Sequence, residues 1–189
     1  EDVRTYYAPF ENGVSAPSTE VYTHEMPGGQ YSNLQQQAKA VGLDERWEDV
    51  KSMYSDVNLL FGDIVKVTPS SKVVGDMALF MVQNNLTSDD IYAKGKELNF
   101  PESVISFFKG DLGQPTGGFP KELKEIILNG RESIEVRPGS LAKPVDFDQV
   151  KAELQELIGF EPSRKDVISY IMYPQVFLDY RKMNDAFGD

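Results

Sequence analysis

Between Ser70 and Asn84 the chain carries Val73, Val74, Met77, Ala78, Leu79, Phe80, Met81 and Val82, so a helix there is apolar on nearly every face. Such a helix has no side to offer to water, and other elements must surround it. The run predicts a central core helix and demands several amphipathic neighbours. At ten residues, Val73 to Val82 is too short to span a bilayer, and no charged-then-apolar leader opens the chain, so no membrane association is expected.

The required neighbours are legible on both sides. Val3, Tyr6, Tyr7 and Phe10 recur at helical spacing up to Asn12-Gly13. Residues 14–29 are rich in Pro, Ser and Gly around a candidate short strand from Glu20 to Glu25, and read as a structured connector. From Gln30 to Val41 good helix formers run to Gly42, with Leu34, Ala38 and Val41 on one side. A second helix follows, with Asp44 as its expected N-cap and Trp47, Val50, Met53, Tyr54, Val57 and Leu60 or Phe61 as its stripe, closed by Gly62. These two predict a helical hairpin.

Beyond the central helix, segments 88–98 (Ser88 capping), 101–109 (Pro101 leading) and 120–129 (Pro120 leading, Gly130 stopping) predict helices. Residues 110–119 and 131–146 read as loops, and either could bound a lobe. Asp146 with Gln149 predicts a capping box ahead of Val150, Leu154, Leu157 and Ile158; Ser163 with Asp166 repeats it ahead of Val167, Tyr170 and Ile171. Pro174 then starts a last helix carrying Val176, Phe177, Tyr180 and Met183. The sum is about nine helices, a mainly α multi-helix domain with long loops and at most a short β element. One domain over residues 1–189 is expected, with a C-terminal helical lobe from about residue 146.

Composition narrows the function. The 189 residues, 40% of them hydrophobic, suffice for a real core. A formal net charge of −11, with no basic stripe, gives the wrong field for a phosphate backbone, so no nucleic-acid partner is expected. Cysteine is absent, which removes disulfide frameworks, thiolate metal sites and thiol nucleophiles, and fits a cytoplasmic protein. The opening Glu1-Asp2-Val3 lacks an initiator Met and lies inside a helical pattern, which suggests a piece cut from a longer polypeptide.

The only histidine, His24, cannot build a metal site or a triad, and reads as a hydrogen-bonded structural residue; no metal site is expected. Gly28-Gly29 and Gly117-Gly118 match no phosphate loop and read as turn residues. Thr68-Pro69-Ser70-Ser71-Lys72, at the front of the buried helix, is the exception. Proline restricts Thr68 to extended backbone and is preset for a first helical turn, while free N–H groups there would favour an anionic group. Ser70 and Ser71 add hydroxyls. Lys72 adds a cation where the helix dipole disfavours one by about 0.3–1 kcal/mol. On residue chemistry alone the ordinary reading stands first: Thr caps, Pro follows, and Lys72 snorkels to water.

Longer strings change that balance. His24-Glu25-Met26-Pro27-Gly28-Gly29-Gln30-Tyr31 with Asn33-Leu34, and the run from Gly62 through Thr68-Pro69-Ser70-Ser71-Lys72 to Gly75-Asp76, closely resemble the pyruvate carboxylase family. Gly113-Gln114-Pro115, Gly117-Gly118-Phe119-Pro120, Lys143-Pro144-Val145-Asp146-Phe147 and Tyr173-Pro174 with Val176-Phe177-Leu178-Asp179-Tyr180 are similar to the same family, in the same order. Oxaloacetate decarboxylase alpha subunits and transcarboxylase subunits share the outline.

The resemblance implies the helical, post-barrel part of a carboxyltransferase domain, packed as a funnel on a TIM barrel that holds a divalent metal and pyruvate. It implies biotin as cofactor, delivered by a carrier domain, and a homotetrameric parent. It makes Thr68 the proton carrier between pyruvate and biotin, with Ser71 and Lys72 contacting biotin. A hydroxyl donates and accepts in one geometry, which suits that role. The barrel's metal ligands and pyruvate-binding Arg are not among these residues, so inactivity alone is expected. A noncatalytic helical scaffold for domain or subunit docking is the alternative.

Overall fold

Pairing of apolar helix faces builds this molecule, and the computed structural model describes residues 2–10 and 18–188. Eleven α-helices and no strand occur among the described residues. They are α1 (Asp2–Tyr7), α2 (Val21–His24), α3 (Gly28–Ala40), α4 (Trp47–Leu60), α5 (Ser70–Gln83), α6 (Ser88–Lys94), α7 (Glu102–Lys109), α8 (Lys121–Leu128), α9 (Phe147–Ile158), α10 (Arg164–Met172) and α11 (Pro174–Phe187). The expected exit of the first helix at Asn12-Gly13 lies outside the described residues, as do positions 14–17 of the connector. Where a strand is expected at Glu20–Glu25, the backbone makes a single helical turn instead. That turn ends at Glu25, which adopts left-handed backbone at φ 57° and returns its N–H to Val21.

Residues fall into two compact units, Glu1–Leu141 and Ala142–Asp189. In the first, α5 is the core helix that the sequence demands: Val73, Val74, Met77, Ala78, Met81 and Val82 are buried. The hairpin partner α4 supplies Val50, Tyr54, Val57 and Phe61, and α3 adds Leu34 and Ala38, while Val41 is exposed. Gly75 explains how closely α3 approaches. A Cβ there would stand 2.5 Å from Gln30 Nε2 and 2.9 Å from Leu34 Cδ1, so any larger residue would force those side chains to move. Phe61, Phe107, Phe108 and Phe119 form an aromatic cluster with ring centroids 5.0–5.9 Å apart, favouring edge-to-face contact. In the second unit, Leu154, Val167 and Phe177 make a small core among α9, α10 and α11.

Several helix starts differ from expectation. Asp44 does not cap α4; it lies in a 3-10 turn, and Arg46 precedes the helix with its guanidinium engaged by Asp49, the Val82 carbonyl and Asn85. Thr87, not Ser88, caps α6, because only Thr87 has an acid three residues on to complete the box. Pro101 and Pro120 stand just outside α7 and α8. Asp146 accepts from the N–H groups of Asp148 and Gln149, but the Gln149 side chain turns to Glu153, leaving half a box. The Ser163–Asp166 box is complete.

Candidate functional site

Residues 61–69 carry the chain from α4 to α5. At the start of this connection Asp63 adopts left-handed backbone, φ 54°, which a non-glycine residue rarely does without support. The buried Asn58 provides it, donating Nδ2–H to Asp63 Oδ1 at 2.8 Å and accepting the Asp63 N–H on its carbonyl at 2.8 Å. At the far end the Thr68–Pro69 peptide is cis and α5 begins at Ser70. Pro69 thus stands one position ahead of the helix, instead of opening its first turn.

No side chain caps α5. Its first-turn N–H groups are taken by backbone: Ser71 donates to the Val67 carbonyl at 3.1 Å, Lys72 and Val73 to the Pro69 carbonyl at 3.0 and 3.3 Å. Those N–H groups are spent, so the expectation of a free anion cradle here is corrected. The ordinary role for Thr68 falls too, since its hydroxyl does not cap and makes no hydrogen bond to another described residue.

Thr68 is exposed and lines a cleft of about 620 Å³. One wall is the 63–70 connection; the other is Phe107 with Leu112, Gln114 and Thr116. Val65, Val67 and Leu112 are exposed apolar residues on its rim. The 110–119 loop is held against its neighbour: Gln114 Nε2–H donates to the Ile134 carbonyl at 2.7 Å, and the Ile134 N–H to the Lys109 carbonyl at 2.7 Å. The cleft therefore has two pinned walls.

The other two expected site residues do not line it. Ser71 is buried, 6% exposed, and its carbonyl accepts the Tyr54 hydroxyl at 3.3 Å. Lys72, its side chain 55% exposed, pairs with Asp76, which also accepts the Ser103 hydroxyl from α7. Asp76 answers the unfavourable dipole at Lys72. Of the three, only Thr68 reaches the cavity, and the sequence reading overlooked Asp63, Gln114 and Thr116. For Asp63 and Gln114 a signal was present, since Gly62-Asp63 and Gly113-Gln114-Pro115 sit inside the strings shared with the family; Thr116 lies outside them.

A second, polar cleft of about 340 Å³ contains Glu20, His24, Glu48 and Lys51. The Lys51 ammonium is buried and bridges Glu20 and Glu48 at 2.8 Å each. Burial opposes its charge, but hydrogen bonds to both carboxylates win and its pKa rises. His24 is the structural residue that its isolation suggests: buried, in tilted ring contact with Tyr31, with Nδ1 accepting the Met26 N–H at 2.9 Å. Burial, then the positive charge of Lys51, holds its pKa below the ordinary value. Among the described residues no group of three or more acids or histidines is placed to hold a metal ion. Among the described residues no helix is long and apolar enough to cross a membrane.

Fold and cleft together define an all-helical module presenting an unengaged hydroxyl ahead of a buried helix. Residues 21–189 match the model of the conserved carboxylase domain, and the chain belongs to that family. It is 60% identical over 189 residues to pyruvate carboxylase of Bacillus subtilis (strain 168), covering 100% of this chain and 16% of that protein. Against pyruvate carboxylase of Staphylococcus aureus the identity is 55% over 187 residues, covering 99% and 16%. The chain thus spans about a sixth of the length of these relatives. The carboxyl transferase domain of Rhizobium etli pyruvate carboxylase, solved with oxamate and biotin, superposes with a TM-score of 0.92 at 50% identity. That match covers 100% of this chain and 32% of that domain.

Proposed function

We propose that this chain supplies the Thr68 side of the carboxyl-transfer site of a biotin-dependent pyruvate carboxylase, which passes a carboxyl group from biotin to pyruvate to give oxaloacetate. One observation carries the reading: Thr68, ahead of the most buried helix, lines a cleft, and its hydroxyl makes no hydrogen bond to a described residue. Its relatives are pyruvate carboxylases, and one solved relative holds oxamate and biotin.

The cleft suits a small bicyclic ring: about 620 Å³, an apolar rim at Val65, Val67 and Leu112, and a hydroxyl on one wall. Bound there, biotin would supply the carboxyl group, its ring N–carboxyl bond breaking, and would leave a ring nitrogen to be protonated. Pyruvate loses one methyl C–H and gains one C–C bond. The Thr68 hydroxyl accepts that proton on its oxygen and releases its own toward the ring nitrogen, so its charge is unchanged across the step. Ser71 and Lys72, the biotin contacts that the family resemblance implies, lie in the first turn of α5 beside this cleft, and Lys72 would have to leave Asp76 to reach the ring. The partners are a TIM barrel holding pyruvate and a divalent metal, and a biotin carrier domain, in a cytoplasmic homotetramer. The chain alone is inactive in this reading.

The test is Thr68→Ala in the full-length enzyme. Oxaloacetate formation is expected to fall about 10²–10⁴-fold while bicarbonate-dependent ATP cleavage continues. Normal transfer would remove Thr68 from the mechanism and leave the segment a docking scaffold.

A further inference from the structure

A relay hydroxyl must be held, and Thr68 makes no bond that holds it. Its neighbour two residues on does the holding. Ser70 Oγ lies 2.7 Å from the Val65 carbonyl and 2.7 Å from the Val67 carbonyl, and accepts the Val67 N–H at 3.1 Å. Its one proton is shared between two carbonyls while its oxygen takes an N–H. The hydroxyl therefore closes residues 65–70 into a tight loop. Thr68 is the residue inside that loop whose side chain stays unengaged.

The remainder of the connection is anchored independently. Asn58, fully buried, grips Asp63 through side chain and backbone at 2.8 Å, and Lys66 pairs with Glu25 at 2.7 Å. With these anchors in place, the last free variable is the path from Val65 to Pro69. Ser70 sets it.

We propose that Ser70 is a positioning residue for the proton transfer assigned to Thr68, an inference that rests on that reading. Ser70 acts through Thr68 because every bond that its hydroxyl makes goes to the backbone of Val65 and Val67. A relay needs both proton partners within about 2.6–3.2 Å of the Thr68 oxygen. Displacement by about 1 Å costs on the order of 100-fold in rate.

The experiment is a double-mutant cycle in the full-length carboxylase, reading oxaloacetate formation, KM for pyruvate and bicarbonate-dependent ATP cleavage. Ser70→Ala is expected to lower kcat for transfer about 10–100-fold, with KM within about twofold and ATP cleavage intact. Ser70→Thr, which keeps the hydroxyl, recovers most of the loss. In a Thr68→Ala background, adding Ser70→Ala changes nothing further, because the residue through which it acts is gone.

An equal loss in both backgrounds overturns the proposal and makes Ser70 merely structural, as does unchanged kcat in the single variant. If Ser70→Ala does not fold, Ser70→Cys, of similar shape but a weak hydrogen bonder, takes its place in the cycle with the same expected and contrary results. Full transfer activity in Thr68→Ala alone sinks the proposed function instead, whatever Ser70 does.

Discussion

A threonine stands at the front of both α5 and α6, and the two solve the same problem in opposite ways. At α6, Thr87 is spent on the helix: its hydroxyl accepts the Asp90 N–H at 3.2 Å, while Asp90 Oδ2 accepts the Thr87 N–H and hydroxyl at 2.8 Å each. At α5 the exposed N–H groups are met by the carbonyls of Val67 and Pro69, and Ser70 ties the approach. Thr68 is thereby released. A helix end needs its donors satisfied, but side chain or backbone can do it, and the choice decides which hydroxyl is left for chemistry.

The largest expected contrast is catalytic. In the full-length enzyme Thr68→Ala should reduce carboxyl transfer about 10²–10⁴-fold, while Thr87→Ala should leave transfer per folded molecule unchanged. Comparable losses from both would erase the distinction. The next contrast runs the other way, in stability. Thr87→Ala should cost about 1 kcal/mol, within 0.5–2, in urea unfolding followed by the fluorescence of the single tryptophan, Trp47, on α4.

Asp90 sharpens the comparison with pH. The Thr87 N–H first, then the Thr87 hydroxyl and Lys94, hold its carboxyl down to about 2. A folded pKa below the unfolded value, near 3.9, means the contribution is complete above about pH 4 and is lost as pH falls toward about 2. Carboxyl titration by NMR should show Asp90 moving up toward the ordinary range in Thr87→Ala. An unmoved Asp90 would mean that the hydroxyl contributes little to the box.

The difference between these two fronts also marks what the sequence could and could not reveal. Local chemistry was legible: the apolar faces of α5, the Ser163–Asp166 box, and Pro174 opening α11 each depend on residues within a turn of one another. Thr68 stood out because a proline follows it and a buried helix follows that. The cap of α6 was misplaced by one residue because Ser88 and Thr87 are adjacent, and only the spacing to Asp90 separates them. Asp44 failed as a cap for a non-local reason, since Arg46 is drawn to Val82 and Asn85 at the end of α5. The cleft was illegible for the same reason. Its second wall comes from the 110–119 loop, positioned by Ile134, and no periodicity reports a contact between loops. Nor could spacing show that Ser71 would be buried, which follows from how α5 is rotated against its neighbours; the Lys72–Asp76 pair, four residues apart on one helix, was legible.

The smallest predicted effect tests the comparison most severely. Thr68 makes no hydrogen bond with a described residue, does not cap α5 and is exposed, so removing its hydroxyl takes nothing from the folded state. Thr68→Ala should therefore change the free energy of unfolding by no more than about 0.5 kcal/mol in either direction, as for a surface change away from any special feature. The measurement is the same Trp47 fluorescence titration used for Thr87→Ala, so the two threonines are read on one scale. A loss near 1 kcal/mol at Thr68 would mean that its hydroxyl supports the helix front after all, and the catalytic loss in the same variant would then follow from disorder of the connection. A change near zero, together with lost transfer, separates the two roles cleanly: stability at α6 depends on its threonine, whereas α5 leaves its own to the cleft.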